Sequence, residues 1–147
     1  MKMDYSAEYS IGTNIGKVLR VLRTSLQRNF EAAGHKLTLE QWLILILLTI
    51  RDGQTQQELS IMSVKEKTTI TRLIDGLEKK NLIVRIRDKT DRRNNLIYLT
   101  KEGKKVEKTL TPIAFETNDM ALKGFTKKEI QQFLDMLKRM YGNLTDH

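Results

Sequence analysis

Residues 82–100 read LIVRIRDKTDRRNNLIYLT. The two ends, LIVRI (82–86) and LIYLT (96–100), are rich in β-branched and aliphatic residues, the composition of strands. The nine residues between them, RDKTDRRNN (87–95), contain no large apolar side chain. Four are basic (Arg87, Lys89, Arg92, Arg93) and two are acidic (Asp88, Asp91). The stretch therefore predicts a β-hairpin with a long polar, arginine-bearing tip. Whether that tip is only a solvated turn depends on the elements around it.

Upstream, every signal is helical. Ser10 is placed to cap a helix in which Ile11, Ile15, Val18, Leu19, Leu22, Leu26 and Phe30 recur at steps of three and four, with Gly34 as its stop. Thr38 and Gln41 match a T-x-x-Q capping box, with Leu37 and Trp42 placed as a hydrophobic staple. The helix that follows, WLILILL (42–48), is apolar almost all round and is expected to be buried on most sides. RDG (51–53) ends it. Thr55 and Glu58 open a short helix through Leu59 and Met62, and another helix runs to about Lys80 on the core positions Ile70, Leu73, Ile74 and Leu77. Asn81 stands where a left-handed residue is wanted. Downstream of the hairpin, Thr100 caps a long helix containing Pro112, Gly124 interrupts, and Thr126 with Glu129 opens a last helix carrying Ile130, Phe133, Leu134, Leu137, Tyr141 and Leu144.

The expected fold is mainly α with a small β-hairpin wing: two short consecutive helices and a hairpin make a winged helix-turn-helix. The chain, 1–147, reads as a single domain with that winged core over 37–100. The helices over 10–34 and 101–147 carry apolar stripes that the core does not use. A second copy offers the simplest burial for them, so they are expected to form a dimerisation domain of a homodimer.

The charge points to a partner. Of the net charge of +8, the segment 60–105 contributes +7, from 13 Lys/Arg against 6 Asp/Glu. A positive field so concentrated favours a polyanion, nucleic acid before membrane. No apolar run approaches the ~18–20 residues that span a bilayer, and MKMDYSAEYS (1–10) lacks the apolar core of a secretory signal. No membrane partner is therefore expected, and the expected location is the cytoplasm. On a wheel over 65–80 the apolar positions cluster within about 100°, and Lys65, Thr68, Arg72, Asp75 and Lys79 face the other way, flanked by Thr69 and Thr71. Threonine and arginine near the first half of such a helix suit major-groove reading. An ordinary solvated face would look similar, and the basic hairpin next to it raises the DNA reading.

The residues that decide between these are motifs. Leu77 to Arg85 fit L-x-x-x-G-L-[IV]-x-R with Asn81 in place of glycine, Asp91-Arg92-Arg93 fit D-x-R, and Leu99, Thr100 and Gly103 fit L-T-x-x-G. Together they resemble the DNA-binding core of the MarR family of transcriptional regulators, over 55–105 most specifically and over the whole chain in length. The resemblance implies a sequence-specific regulator, in the commoner role a repressor, that binds a pseudo-palindrome on double-stranded DNA as a homodimer. It implies a recognition helix in the major groove, Arg93 in the minor groove and Asp91 orienting it. Arg92 meets phosphate or solvent. The DNA-binding candidates are Lys65, Lys67, Thr68, Thr69, Thr71, Arg72, Asp91, Arg92 and Arg93. One departure is the turn IMSVKEK (61–67), which lacks the family's glycine. Ser63 with Glu66 spells a capping box there, but the family register starts the helix nearer Glu66, leaving Ser63 and Val64 in the turn.

The resemblance also implies a small aromatic or anionic effector between the winged core and the dimer helices. Trp42, Tyr5, Tyr9 and Phe30 are the aromatic candidates for such a cleft, although each fits core or dimer packing more readily. Zero cysteine removes thiol-based sensing and thiolate metal sites, and His35 and His147 make a poor zinc pair. No cofactor or metal is expected. An enzyme finds no nucleophile–base pair, P-loop or dinucleotide fingerprint. The alternative is a winged-helix module that binds nucleic acid without sequence choice, or another protein, with no small ligand.

Overall fold

The computed structural model describes residues 10–145. It has six helices and a three-stranded antiparallel sheet: α1 (Ile11–Ala32), α2 (Leu39–Ile50), β1 (Gln54–Thr55), α3 (Gln56–Ser63), α4 (Lys67–Lys79), β2 (Ile83–Arg87), β3 (Asn95–Leu99), α5 (Lys101–Ala121) and α6 (Lys127–Thr145). The local signals act as read. Ser10 Oγ accepts from the Thr13 N–H at 3.3 Å to open α1. Gly34 (φ +89°) closes it, and the His35 N–H donates back to the Phe30 carbonyl at 2.9 Å. All three capping boxes, Thr38 with Gln41, Thr55 with Glu58 and Thr126 with Glu129, are complete. Asn81 (φ +56°) takes the left-handed position after α4, and the Leu82 N–H reaches back to the Leu77 carbonyl at 3.1 Å.

One core joins the elements. Leu26 and Phe30 of α1, Ile44, Leu45 and Leu48 of α2, Leu59 of α3, Ile70, Ile74 and Leu77 of α4, Ile83 and Ile97 of the sheet and Val106 and Leu110 of α5 are all buried. The apolar α2 sits at its centre, in contact with α1, α3, α4, α5 and β3.

The structure departs from the sequence reading in three places. The wing is a sheet of three strands, ordered β1-β3-β2, because Gln54 and Thr55 pair with Ile97 and Leu96. Two residues are too few to show alternation, so β1 leaves no periodic trace. Ser63 closes α3 and donates to the Leu59 carbonyl at 2.6 Å, so it is not the cap of α4, which opens at Glu66 as the later start requires. In consequence Lys65 is not on the recognition helix. It lies in the turn, where its N–H donates to the Ser60 carbonyl at 3.1 Å. Val64 supplies the left-handed conformation (φ +54°) that glycine would take without strain, at a cost of roughly 1–2 kcal/mol.

The junction between wing and α5 explains the last motif. The Thr100 N–H donates to the Leu82 carbonyl at 3.1 Å, and Thr100 Oγ1 donates to the Asn81 carbonyl and accepts from the Gly103 N–H. This pulls α5 so close that a Cβ on Gly103 would lie 2.0 Å from the Leu82 carbonyl oxygen. Gly103→Ala is expected to cost roughly 3 kcal/mol, the upper end of ordinary overpacking. Thermal unfolding measures it, and an unchanged midpoint would show that the junction yields freely.

Candidate nucleic-acid interface

The outer face of α4 is built from its core face. With Ile70, Ile74 and Leu77 buried, Lys67, Thr68 and Arg72 are left exposed, and Thr69 and Thr71 lie half-buried at the flanks. Thr71 is partly committed. Its hydroxyl donates to the Lys67 carbonyl and accepts from Gln56 Nε2 at 3.0 Å, which ties α3 to α4. Half-buried Lys65 stands just before the helix, as described above.

The tip of the wing, between β2 and β3, is ordered by its own carboxylates. Asp88 accepts from the N–H and the hydroxyl of Thr90 at 2.9 and 2.8 Å. Chiefly the N–H, then the hydroxyl, hold its carboxyl below the usual carboxylate range. Asp91 accepts from the Arg93 N–H at 3.1 Å and from its guanidinium Nε at 3.2 Å, and from Asn94 Nδ2 at 3.3 Å. The same carboxylate thus forms the turn and orients the arginine. The Arg93 side chain is 91% exposed even so. Arg92 is exposed and Asp91 half-buried.

One charged residue was missed as a site element. Arg85 of β2 points to the inner side of the sheet and bridges to α4. Its Nη1 donates to Glu78 Oε1 at 2.7 Å and its Nη2 to Asp75 Oδ1. Burial opposes its charge, but the hydrogen bond to Asp75 and the charges of both carboxylates outweigh burial and raise its pKa. A signal existed in IVRIR (83–87): strand alternation puts Arg85 on the same side as the buried Ile83, where a charge needs a partner.

The aromatic candidates for an effector cleft fall elsewhere. Phe30 and Trp42 are core residues with ring centroids 6.1 Å apart, and Trp42 Nε1–H donates to Thr111 Oγ1 at 3.2 Å. Tyr5, Tyr9 and His147 lie outside the described residues. His35 is a half-buried loop residue. An open groove of about 520 Å³ runs between α1 and α5, lined by Val18, Val21, Leu22 and Met120 among others. Among the described residues no three His, Cys, Asp or Glu side chains stand close enough to hold a metal ion, and no helix is long and apolar enough to cross a membrane.

Comparison with known proteins accords with this geometry. Residues 37–94 match the model of the MarR family. The HTH-type transcriptional regulator YybA of Bacillus subtilis is 29% identical over 130 residues, covering 88% of this chain and 85% of that one. The crystal structure of the transcriptional regulator SlyA superposes with a TM-score of 0.84 at 29% identity, over 93% of this chain and 95% of that one. A MarR family regulator from Listeria monocytogenes, solved in complex with a 26mer DNA, superposes at 0.82 with 29% identity, over 93% and 90% of the two chains.

Proposed function

Because the chain belongs to the MarR family of winged helix-turn-helix DNA-binding transcriptional regulators, we propose that it is a sequence-specific repressor, acting in the cytoplasm as a homodimer on a pseudo-palindromic operator. Its α4 enters the major groove through Lys67, Thr68, Thr69 and Arg72, with Lys65 and Thr71 at the margin. Its wing enters the minor groove through Arg93. Arg92 lies along the phosphates. The observation that carries this reading is Arg93: a guanidinium nine-tenths exposed yet held by a neighbouring carboxylate. A lysine or arginine on a merely soluble surface has no need of such an anchor. A narrow minor groove rewards it, because the side chain has less freedom left to lose on binding. The Listeria monocytogenes relative, with a similar fold, was solved with DNA bound, which supports duplex DNA as the partner.

The homodimer is supported by what the single chain leaves uncovered. Among the described residues no side chain of α6 is buried, and its Phe133, Leu134, Tyr141 and Leu144 stand exposed, as do Ile11, Ile15, Val18 and Leu19 of α1. We assign the groove between α1 and α5 to α6 of a second copy. The division into dimer helices (10–34, 101–147) and winged core (37–100) belongs to the same reading, with the inner half of α1 serving both. A small aromatic or anionic effector, as the family resemblance implies, would act between these parts; Phe30 and Trp42, committed to the core, do not line its cleft.

The test is selection of duplexes from a random pool, followed by fluorescence anisotropy on the selected and a shuffled duplex at two salt concentrations. A preference of ~10³-fold or more is expected of a specific regulator. Equal binding to both that collapses with salt would overturn the reading in favour of a non-specific module.

A further inference from the structure

The outer face of α4 is not uniformly basic. Asp75 follows Thr68 by seven residues, which returns it to within about 20° of the same azimuth, about 10.5 Å along the axis. Glu78 lies one turn beyond, on a neighbouring line. On the reading of α4 as the DNA-facing helix, on which this inference rests, two carboxylates stand where a duplex backbone approaches. Both are substantially exposed, at 50% and 42%. Left alone, each would repel phosphate.

We propose that Arg85 is a charge mask for the recognition helix: from the wing strand it pairs with both Asp75 and Glu78 and, together with Lys79 of the helix, offsets their two charges, so that the DNA meets a helix without net negative charge in its second half. The geometry favours masking over direct contact. Arg85 is only 20% exposed, and its two terminal amino groups are each committed to a carboxylate. The strand alternation turns it inward, while Val84 and Ile86 on either side of it face solvent. The same bridges fix β2 against α4, so the mask also sets the angle between wing and helix. Arg85 is thus a positioning residue that acts through its partners.

The test uses the full chain and its selected duplex. Arg85→Met keeps the bulk of the stem and removes the charge. It is expected to lower specific affinity roughly tenfold and to flatten the dependence of log affinity on log salt by about one phosphate equivalent, as two uncovered carboxylates oppose the DNA. Adding Asp75→Asn and Glu78→Gln to Arg85→Met removes those charges and is expected to restore affinity to within about threefold of the wild type. A triple variant as weak as Arg85→Met alone would overturn masking and leave Arg85 as a direct contact or a structural strut. So would an Arg85→Met chain that binds like wild type. Should Arg85→Met fail to fold, judged by circular dichroism, the Asp75→Asn/Glu78→Gln chain with Arg85 intact decides. It is expected to bind as tightly as wild type or tighter, with a steeper salt dependence, and weaker binding overturns the proposal. A wild-type chain that selects no duplex would overturn the DNA reading itself, an outcome visible before any variant is compared.

Discussion

Arg93→Ala is expected to weaken operator binding by roughly 1–3 kcal/mol per half-site, hence about 2–6 kcal/mol across a two-fold dimer, if each wing places one arginine in a groove. Little of that loss should come from stability. The side chain is 91% exposed, and its guanidinium bonds to Asp91, two residues away. An exposed ion pair of this kind contributes about 1 kcal/mol or less to folding. The effect should therefore appear in binding and leave the unfolding midpoint almost unmoved. Arg93→Lys keeps the charge and loses the planar fork, so it should retain non-specific binding while losing part of the operator preference. Asp91→Asn separates the two roles of the wing tip. It leaves the arginine in place but loosens its anchor and removes a negative charge. Non-specific affinity should hold or rise while the preference for the operator falls. Anisotropy titrations on operator and shuffled duplex at one fixed salt concentration measure all three. Operator affinity unchanged by Arg93→Ala would remove the wing tip from the interface.

Such a tip was legible in the sequence because its parts are close together. Asp91 and Arg93 are two residues apart, and the pairing needs only a turn. The boxes at Thr38, Thr55 and Thr126 were legible for the same reason: each is closed by a residue three positions on, whatever the rest of the fold does. Local rules fail where two local answers compete. Ser63 with Glu66 spells a box as well as Thr55 with Glu58 does, but the Ser63 hydroxyl was already taken by the Leu59 carbonyl behind it. With Ser63 closing α3 and Glu66 capping α4, Lys65 falls in the turn. Rules of pattern fail for partners brought together by topology. Arg85 meets Asp75 and Glu78 only because β2 folds back along α4, and β1 exists only because β3 offers it an edge. The exposed half of the α1 stripe marks a third limit. Ile11 to Leu19 have helical period and apolar character like Leu26 and Phe30, yet of these only the latter pair is buried in its own chain. Periodicity reports that a face seeks a partner and is silent on which chain supplies it.

For α6 that silence is informative, and it leads to the other large effect. A helix of 19 residues with no buried side chain is marginal on its own in water. Its exposed Phe133, Leu134, Tyr141 and Leu144 therefore argue for a partner in the assembled protein. Phe133→Asp with Leu134→Asp puts two charges on the face proposed to enter the groove of a second copy. Burying even one unpaired carboxylate there costs several kcal/mol, enough to dissociate a dimer at micromolar concentration. The expected result by sedimentation is a monomer of 17.1 kDa in place of a dimer. The winged core should survive, since α6 contributes nothing to it, and the buried Trp42 gives the fluorescence signal that checks this. Operator affinity should fall by ~10³-fold or more. Two half-sites held about one helical turn apart, roughly 34–36 Å, are read as one only while a rigid interface links two recognition helices. Binding to an isolated half-site should change little, which separates lost assembly from lost recognition. A wild-type chain that sediments as a monomer, or a doubly substituted chain that still dimerises, would place the interface elsewhere. The exposed stripes of α1 and α6 would then need a different partner.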